Sequence, residues 1–255
     1  MAVGEIKFRG EALGMWAAMN VILPDKGKGP FPVYYLLHGL TDDHGIWSRW
    51  SSIERYVAGL PLIVVMPSTA RQWYTNSVNR PGLRYEDHII KDVVGLVDRT
   101  FPTIANRRGR AIGGLSMGGY GAMKLALKYP DLFCAANSHS GAVVGVFDGR
   151  RNIRAGKPSA EEAAEFDSIF GTGCEGGPED PLALARKCPK SKRPKLRIDC
   201  GVDDFLLDGN RMFHAHLDKI GYKHEYEEFP GAHDWNYWDL HIQDALAFHR
   251  RVLGV

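Results

Sequence analysis

Ser116 lies at the centre of a glycine-rich segment that fits the pattern G-x-S-x-G, from Gly114 to Gly118. In this pattern the serine occupies a sharp turn between a strand and a helix, where its hydroxyl is free to attack a carbonyl group. Residues 110–115 have the composition of a short buried strand, and residues 117–129 have helical periodicity that ends before a proline. The sequence therefore predicts that Ser116 is a nucleophile.

Two other interpretations of this turn fit the sequence less well. A glycine-rich strand-to-helix turn with a bystander serine needs no chemistry, but the flanking strand and helix both agree with a nucleophile. A dinucleotide-binding turn needs G-x-G-x-x-G, which cannot be aligned here, and the segment lies in the middle of the chain. We therefore retain the nucleophile.

A serine hydroxyl is a weak nucleophile at neutral pH, so Ser116 needs a base, and the base needs a carboxylate to orient it. In an open parallel sheet such groups gather at the carboxyl ends of the strands. Asp203 and Asp204 follow a predicted strand at residues 196–200, and His233 follows another at residues 224–229. The order Ser, Asp, His is that of α/β-hydrolases, with either aspartate as the acid.

Most of the other histidines can be set aside by their positions. His214 and His216 are two residues apart in a predicted helix, so their side chains point to different faces and cannot jointly bind a metal ion. We expect His38 to be structural and His139 to line the pocket. The four cysteines have no C-x-x-C spacing, so we expect neither a disulfide framework nor a metal.

The negative charge that develops on the attacked carbonyl oxygen must be met by backbone N–H groups. Met117 follows the nucleophile and supplies one. The second is expected from the loop after an early buried strand at residues 33–37. We predict Leu40 as this donor, with Gly39 as the alternative.

These groups must be positioned by a sheet covered on both faces. Strands and helices alternate along the 255 residues, which predicts an α/β fold with a mostly parallel central sheet after two antiparallel edge strands. No linker divides the chain, so we predict one domain over residues 1–255, with a cap-like insertion at about residues 142–194 where the pattern breaks.

The overall composition excludes several classes of partner. The formal net charge of +2 comes from nearly balanced acids and bases, which favours neither nucleic acid nor an anionic membrane. No apolar stretch is long enough for a membrane span, and the N-terminus lacks the pattern of a signal peptide. We expect a cytoplasmic protein.

Four segments resemble the esterase D group of α/β-hydrolases, which is related to tributyrin, acetyl and feruloyl esterases, S-formylglutathione hydrolases and mycolyltransferases. In chain order they are HGL, GLSMGGYGAMKLALKYPDLF, CGVDDFLLDGN and PGAHDWNYW. The resemblance extends from about residue 5 to residue 250 and implies an α/β-hydrolase fold and ester chemistry. It also implies a catalytic role for Ser116 and His233, and an oxyanion hole made by Leu40 and Met117.

The resemblance further separates the two aspartates. The group usually has a glycine, two residues and an aspartate, followed by a Phe-Leu pair, and Gly201 with Phe205 places Asp204 in that position. Residues 38–47 read HGLTDDHGIW, whereas formylglutathione hydrolases usually carry a doubled glycine and a nearby cysteine there. A secreted mycolyltransferase would need an export signal. The remaining similarity is to short-acyl and hydroxycinnamoyl esterases, in which the insertion forms part of the pocket.

The sequence thus predicts a serine carboxylesterase for short-chain acyl or hydroxycinnamoyl esters, with no metal or cofactor. Its expected partner is a small ester such as an acylated plant cell-wall sugar, and homo-oligomerisation is left open. A thioester hydrolase or an acyltransferase is the alternative, and a catalytically inactive binding protein is a remote one. Aromatic side chains in the predicted loops would form the pocket walls or simply pack in the core: Trp47, Trp50, Trp73 and Trp235. Gly39 and His139 complete the predicted substrate-binding set.

Overall fold

The structure, a computed structural model, describes residues 1–144 and 159–255. Within them, one sheet of eight strands has the order β1-β2-β4-β3-β5-β6-β7-β8, antiparallel at β1, β2 and β4 and parallel elsewhere. The strands are β1 (Ala2–Gly10), β2 (Met15–Leu23), β3 (Val33–Leu37), β4 (Ile63–Pro67), β5 (Arg110–Leu115), β6 (Ala135–His139), β7 (Lys195–Gly201) and β8 (Glu225–Phe229). The predicted α/β fold with a mostly parallel sheet is confirmed.

Helices cover both faces of this sheet. They are α1 (Ile46–Trp50), α2 (Ile53–Val57), α3 (Tyr85–Asp87), α4 (Val94–Thr100), α5 (Met117–Lys128), α6 (Ala160–Phe170), α7 (Pro181–Lys187), α8 (Leu207–Lys219) and α9 (Trp235–Leu253). A π-helix, His88–Val93, joins α3 to α4, and short 3-10 turns occupy Arg107–Gly109 and Lys190–Lys192. No helix of the described residues is both long enough and apolar enough to cross a bilayer.

Two cores result from the alternation of side chains along each strand. In β3, Tyr35 and Leu37 belong to the core formed with α4 to α8, whereas Tyr34 and Leu36 belong to the core formed with α1, α2 and α9. All four are wholly buried. A strand that is apolar on both faces is the signature of a covered parallel sheet, and it explains why β3 could be located from sequence.

The insertion between β6 and β7 contains α6 and α7, so it is partly helical over residues 159–194, as predicted. Residues 145–158 of the predicted insertion lie outside the described residues. Phe166 and Phe170 of α6 pack around Trp73, which also meets the ring of Tyr120 in α5. The insertion therefore rests on the helix that follows Ser116.

A buried ion cluster holds the insertion to the same helix. The ammonium group of Lys124 is wholly buried and lies 2.9 Å from Glu86 Oε2 and 2.7 Å from Glu179 Oε2. Lys128 contacts both carboxylates from the more exposed side. Burial opposes ionisation of Glu86, but Lys124 and hydrogen bonds from Lys128 and Tyr129 outweigh it and lower the pKa of Glu86 to about 2. Glu86 is thus charged at neutral pH.

We expect Lys124→Met to lower the free energy of unfolding by about 3–5 kcal/mol, because it leaves buried carboxylate charge without its central partner. Urea denaturation at pH 7 measures this loss. The matched variant Lys128→Met changes a side chain that is 22% exposed, and it should cost clearly less. Equal losses in the two variants would contradict the central position of Lys124.

Candidate active site

Ser116 occupies the turn between β5 and α5 in a strained conformation, with φ 52° and ψ −117°. A non-glycine residue with positive φ carries a conformational cost that the surrounding packing must hold in place. Gly114 and Gly118 make this packing possible, because a methyl group on either would lie 2.6–2.7 Å from the Leu37 carbonyl oxygen. The glycines that flank Ser116 are therefore required by close backbone approach, as the sequence predicted.

The structure brings Ser116, His233 and Asp204 into one hydrogen-bonded chain. The Ser116 hydroxyl donates to His233 Nε2 at 3.0 Å, and His233 Nδ1 donates to Asp204 Oδ2 at 2.8 Å. These two bonds are consistent with a single neutral tautomer of the imidazole, protonated at Nδ1. Its unprotonated nitrogen therefore faces the serine hydroxyl.

The two neighbouring aspartates differ sharply in position. Asp204 is buried, and its second oxygen accepts the backbone N–H of Leu206 at 2.8 Å. Asp203 is exposed and its backbone N–H donates to the Gly231 carbonyl, which ties the loop after β7 to the loop after β8. Only Asp204 contacts the imidazole, so the geometry agrees with the residue that the family resemblance selected.

The loop after β3 holds one peptide group beside Ser116. The Gly39 carbonyl accepts the Nδ1–H of His38 at 2.8 Å, and the Gly39 N–H donates to Asp42 at 3.1 Å. Since a trans peptide directs its C=O and N–H in opposite directions, the N–H of Leu40 points away from His38. With the Gly39 N–H already bonded, Leu40 is the better candidate for the oxyanion donor.

His38 is structural, as expected. Its Nε2 accepts the Thr69 N–H at 3.0 Å, so the ring links the loop after β3 to the loop after β4. Burial lowers the pKa of His38 to about 4, which keeps the ring neutral at pH 7. The neutral tautomer satisfies both bonds at once.

Met117 is wholly buried and begins α5. The first N–H groups of a helix lack acceptors within the helix, and the helix dipole makes this end favourable for negative charge. The Met117 N–H is therefore well placed, by its position in the turn, to meet an oxyanion together with that of Leu40.

Aromatic rings surround the imidazole. The ring of Phe205 lies 4.5 Å from that of His233, and Trp238 meets it edge-on at 4.9 Å. The half-buried Trp235 contacts Trp238 at 5.3 Å, one step further from the imidazole. Phe205 and Trp238 were missed from sequence, although Phe205 is adjacent to Asp204 and Trp238 lies one helical turn after Trp235.

Two residues predicted to bind substrate are too deeply buried to contact it. Trp47 and His139 are wholly buried. The indole N–H of Trp47 donates to the Leu37 carbonyl, and its ring packs edge-on against the ring of Trp235. His139 is the last residue of β6 rather than part of a loop, so its ring lies in the core against Asp199 at 2.8 Å. The backbone carbonyl oxygen of His139 accepts the Ser116 N–H, so it helps to hold the backbone of the nucleophile in place.

Three other predicted pocket residues are also placed differently. Trp73 is 3% exposed and packs under the insertion, so it is a core residue. Trp50 is 61% exposed at the end of α1. Gly39 acts through its backbone, as described for the loop after β3. Among the predicted side chains of the pocket wall, Trp235 alone lies near His233.

The sheet order and the strand-turn-helix unit around Ser116 define an α/β-hydrolase. Residues 10–249 match the family described as putative esterase, and the chain belongs to this family. It is 28% identical over 271 residues to an acetyl esterase of Caldicellulosiruptor saccharolyticus, with 99% of both chains covered. The esterase D resemblance is thereby confirmed.

Solved structures agree with this placement. The fluorophosphonate-binding serine hydrolase F of Staphylococcus aureus is 32% identical with a TM-score of 0.84, covering 99% of this chain and 98% of that one. An S-formylglutathione hydrolase of the same organism is 30% identical, with a TM-score of 0.83 and the same coverage. A ferulic acid esterase at 24% identity, with a TM-score of 0.81, shares the fold.

Proposed function

We propose that this esterase is a serine carboxylesterase that hydrolyses short-chain acyl esters, including hydroxycinnamoyl esters, through an acyl-enzyme. The hydrogen-bonded chain from Asp204 through His233 to Ser116 carries the proposal. The acetyl esterase relative supports a small acyl group. Fold similarity alone extends the range to hydroxycinnamates.

The proposed reaction has two halves. Ser116 Oγ attacks the ester carbonyl carbon while His233 Nε2 takes its proton, and the N–H groups of Leu40 and Met117 stabilise the oxyanion. The intermediate collapses when the imidazolium gives this proton to the departing alcohol, which leaves an ester on Ser116. Water then repeats the sequence and releases the acid. Asp204 holds the imidazole in position and stabilises its charged form.

The acyl side of the pocket is proposed to be bounded by the insertion and by Trp235. We expect p-nitrophenyl acetate and methyl hydroxycinnamates to be cleaved with a much higher kcat/KM than esters of long-chain fatty acids. Shortening the insertion within residues 142–194 should change acyl preference more than it changes the rate on acetate. Steady-state rates on an ester series measure both effects. Higher activity on long-chain emulsions than on soluble short esters would contradict the proposal.

A cavity at the same edge of the sheet is a candidate site for the alcohol part of a larger ester. It has a volume of about 380 Å³, and Lys7, Trp16, His44, Ser68 and Tyr85 are among the residues that line it. Trp16 is 70% exposed. Strand β2, which carries Trp16, is separated from β5 by β4 and β3, so the cavity lies roughly 14 Å from Ser116 at the usual strand spacing. A short acylated oligosaccharide would span this distance.

We expect Trp16→Ala to raise KM for acetylated xylo-oligosaccharides about five- to tenfold, which corresponds to the loss of about 1–1.4 kcal/mol of contact. KM for p-nitrophenyl acetate should stay unchanged, because this small ester does not reach the cavity. Trp50→Ala, which removes an exposed tryptophan outside the cavity lining, is the matched control. A KM that changes equally for both substrates would contradict an alcohol site there.

Thioester hydrolysis is the second candidate function, favoured by the 30% identity to an S-formylglutathione hydrolase. The same three residues serve either reaction, since both pass through an acyl-serine. Parallel measurement of kcat/KM for S-formylglutathione and for matched oxygen esters decides between them. A higher value for the thioester would favour this second function.

A further inference from the structure

A second cluster of titratable side chains lies outside the active site, between the end of α8 and the start of β8. One nitrogen from His214, one from His224 and one carboxylate oxygen of Asp218 lie within 4.8 Å of one another. His214 and Asp218 are four residues apart on α8, so both project from one face of the helix. His224 directly precedes β8 and reaches this face from the neighbouring element.

The two histidine rings are already oriented toward each other. His214 Nδ1 and His224 Nε2 are 2.8 Å apart. The other nitrogen of His224, Nδ1, lies 2.8 Å from the Tyr222 carbonyl oxygen and must donate to it, so Nε2 is unprotonated and accepts a hydrogen bond from His214 Nδ1. A carbonyl that fixes the tautomer of a histidine in this way is the usual support of a metal-ligating imidazole.

The position of His214 is fixed as well. Its ring stacks on the ring of Tyr226, with centroids 4.2 Å apart and planes 6° from parallel. The nearby Arg211 is engaged by Glu228 through two hydrogen bonds, so its charge is balanced. One unprotonated nitrogen, a second imidazole held against it and an exposed carboxylate therefore share one half-exposed site, and a metal ion could enter once the His214 proton moves from Nδ1 to Nε2.

We propose that His214, Asp218 and His224 bind a divalent transition metal ion of the kind that prefers imidazole ligands, with Zn²⁺ as the probe. Tetrahedral zinc with bonds of 2.0–2.1 Å to nitrogen places its ligands about 3.4 Å apart. The histidine nitrogens, 2.8 Å apart, need to separate by about 0.6 Å, while the Asp218 side chain, 63% exposed, rotates inward. Water would complete the coordination.

Such an ion would join α8, which begins just after Asp204, to β8, which ends just before His233. The spacing of His214 and His216 gave no sign of it, because the ligand set combines a helical i,i+4 pair with a histidine from another element. Metal binding here would stabilise the fold and take no part in ester hydrolysis.

The test is titration of the EDTA-treated, dialysed whole chain with ZnCl₂ by calorimetry in a buffer that does not bind metal. We expect one equivalent to bind and the thermal midpoint to rise in excess Zn²⁺. His214→Gln and His224→Gln should each weaken binding at least about tenfold, since loss of even a ligand-orienting residue typically costs that much. His216→Gln, on the same helix but outside the cluster, is the matched control and should bind as the parent does.

His233→Gln distinguishes this site from the imidazole of the active site, and it should also keep full zinc affinity. Absence of binding by the parent chain would overturn the proposal. The proposal would also be overturned if His214→Gln and His224→Gln bound zinc with an affinity within twofold of the parent value. It would be overturned as well if His233→Gln were the only variant to lose affinity. Hydrolysis of p-nitrophenyl acetate by His214→Gln confirms that this variant is folded.

Discussion

Ser116→Ala is expected to lower kcat for p-nitrophenyl acetate at least about a thousandfold, because it removes the nucleophile and leaves only the oxyanion hole and substrate binding. The stability of the chain should be nearly unchanged. Ser116 is only partly buried, and its hydroxyl bonds His233 and fills no core position. Steady-state hydrolysis, with thermal unfolding of the same sample, measures both quantities.

The strained turn makes it possible to separate a chemical effect of Ser116→Ala from a conformational one. Alanine at position 116 keeps the β-carbon and hence the backbone cost of φ 52°, so any loss of activity is chemical rather than conformational. Turnover close to that of the parent would show that Ser116 is a bystander. A large drop in the unfolding midpoint would instead assign the hydroxyl a structural role.

Asp204→Asn is expected to lower kcat by a factor on the order of a thousand to ten thousand. The amide can hold the imidazole in the wrong tautomer, with the proton on the nitrogen that faces Ser116. The variant loses no volume, and its remaining oxygen can still accept the Leu206 N–H. Comparison of kcat for the variant and the parent at pH 7–8 tests this.

Asp203→Asn is the matched control, because it makes the same chemical change one residue away on an exposed side chain. We expect at most about a tenfold loss through loop geometry. If Asp203→Asn were the more damaged variant, the assignment of the acid would be wrong. If neither lost activity, His233 would be oriented by another group.

The parts of the fold that follow from apolar patterning were predictable from sequence. β3 and β5 were located to the residue because both are buried on both faces of the sheet. Ser116 and Asp204 could be predicted for the same reason, since they follow the buried strands β5 and β7. His233 follows the half-exposed strand β8, and it was selected because the carboxyl ends of parallel strands meet at one edge of the sheet.

The sequence prediction misplaced elements that begin or end with polar residues. Strand β6 was predicted at residues 133–137 but runs from Ala135 to His139, because its last two residues are polar yet wholly buried. Helix α9 begins at Trp235, three residues before the predicted start, since the Asp234 side chain caps it by accepting two backbone N–H groups. Both shifts moved residues near the site into regular structure.

Contacts between distant segments left no periodic signal in the sequence. The placement of Phe205 and Trp238 around His233, and the burial of Trp47 behind Trp235, depend on how three loops meet. The aromatic residues in the predicted loops indicated an aromatic pocket wall, but they did not indicate which rings would face the imidazole. Such tertiary contacts are set by packing, so spacing along the chain does not reveal them.

The most direct measurement is the reaction of the purified chain with a fluorophosphonate probe, followed by mass spectrometry of the labelled peptide. The oxygen of an activated serine attacks the phosphorus centre and displaces fluoride, which leaves a stable phosphonyl ester on the serine, whereas an ordinary serine does not react. We predict a single adduct on Ser116, absent from Ser116→Ala and formed far more slowly in His233→Gln. Absence of labelling, or an adduct on another residue, would contradict the assignment of this chain as a serine esterase that acts through Ser116.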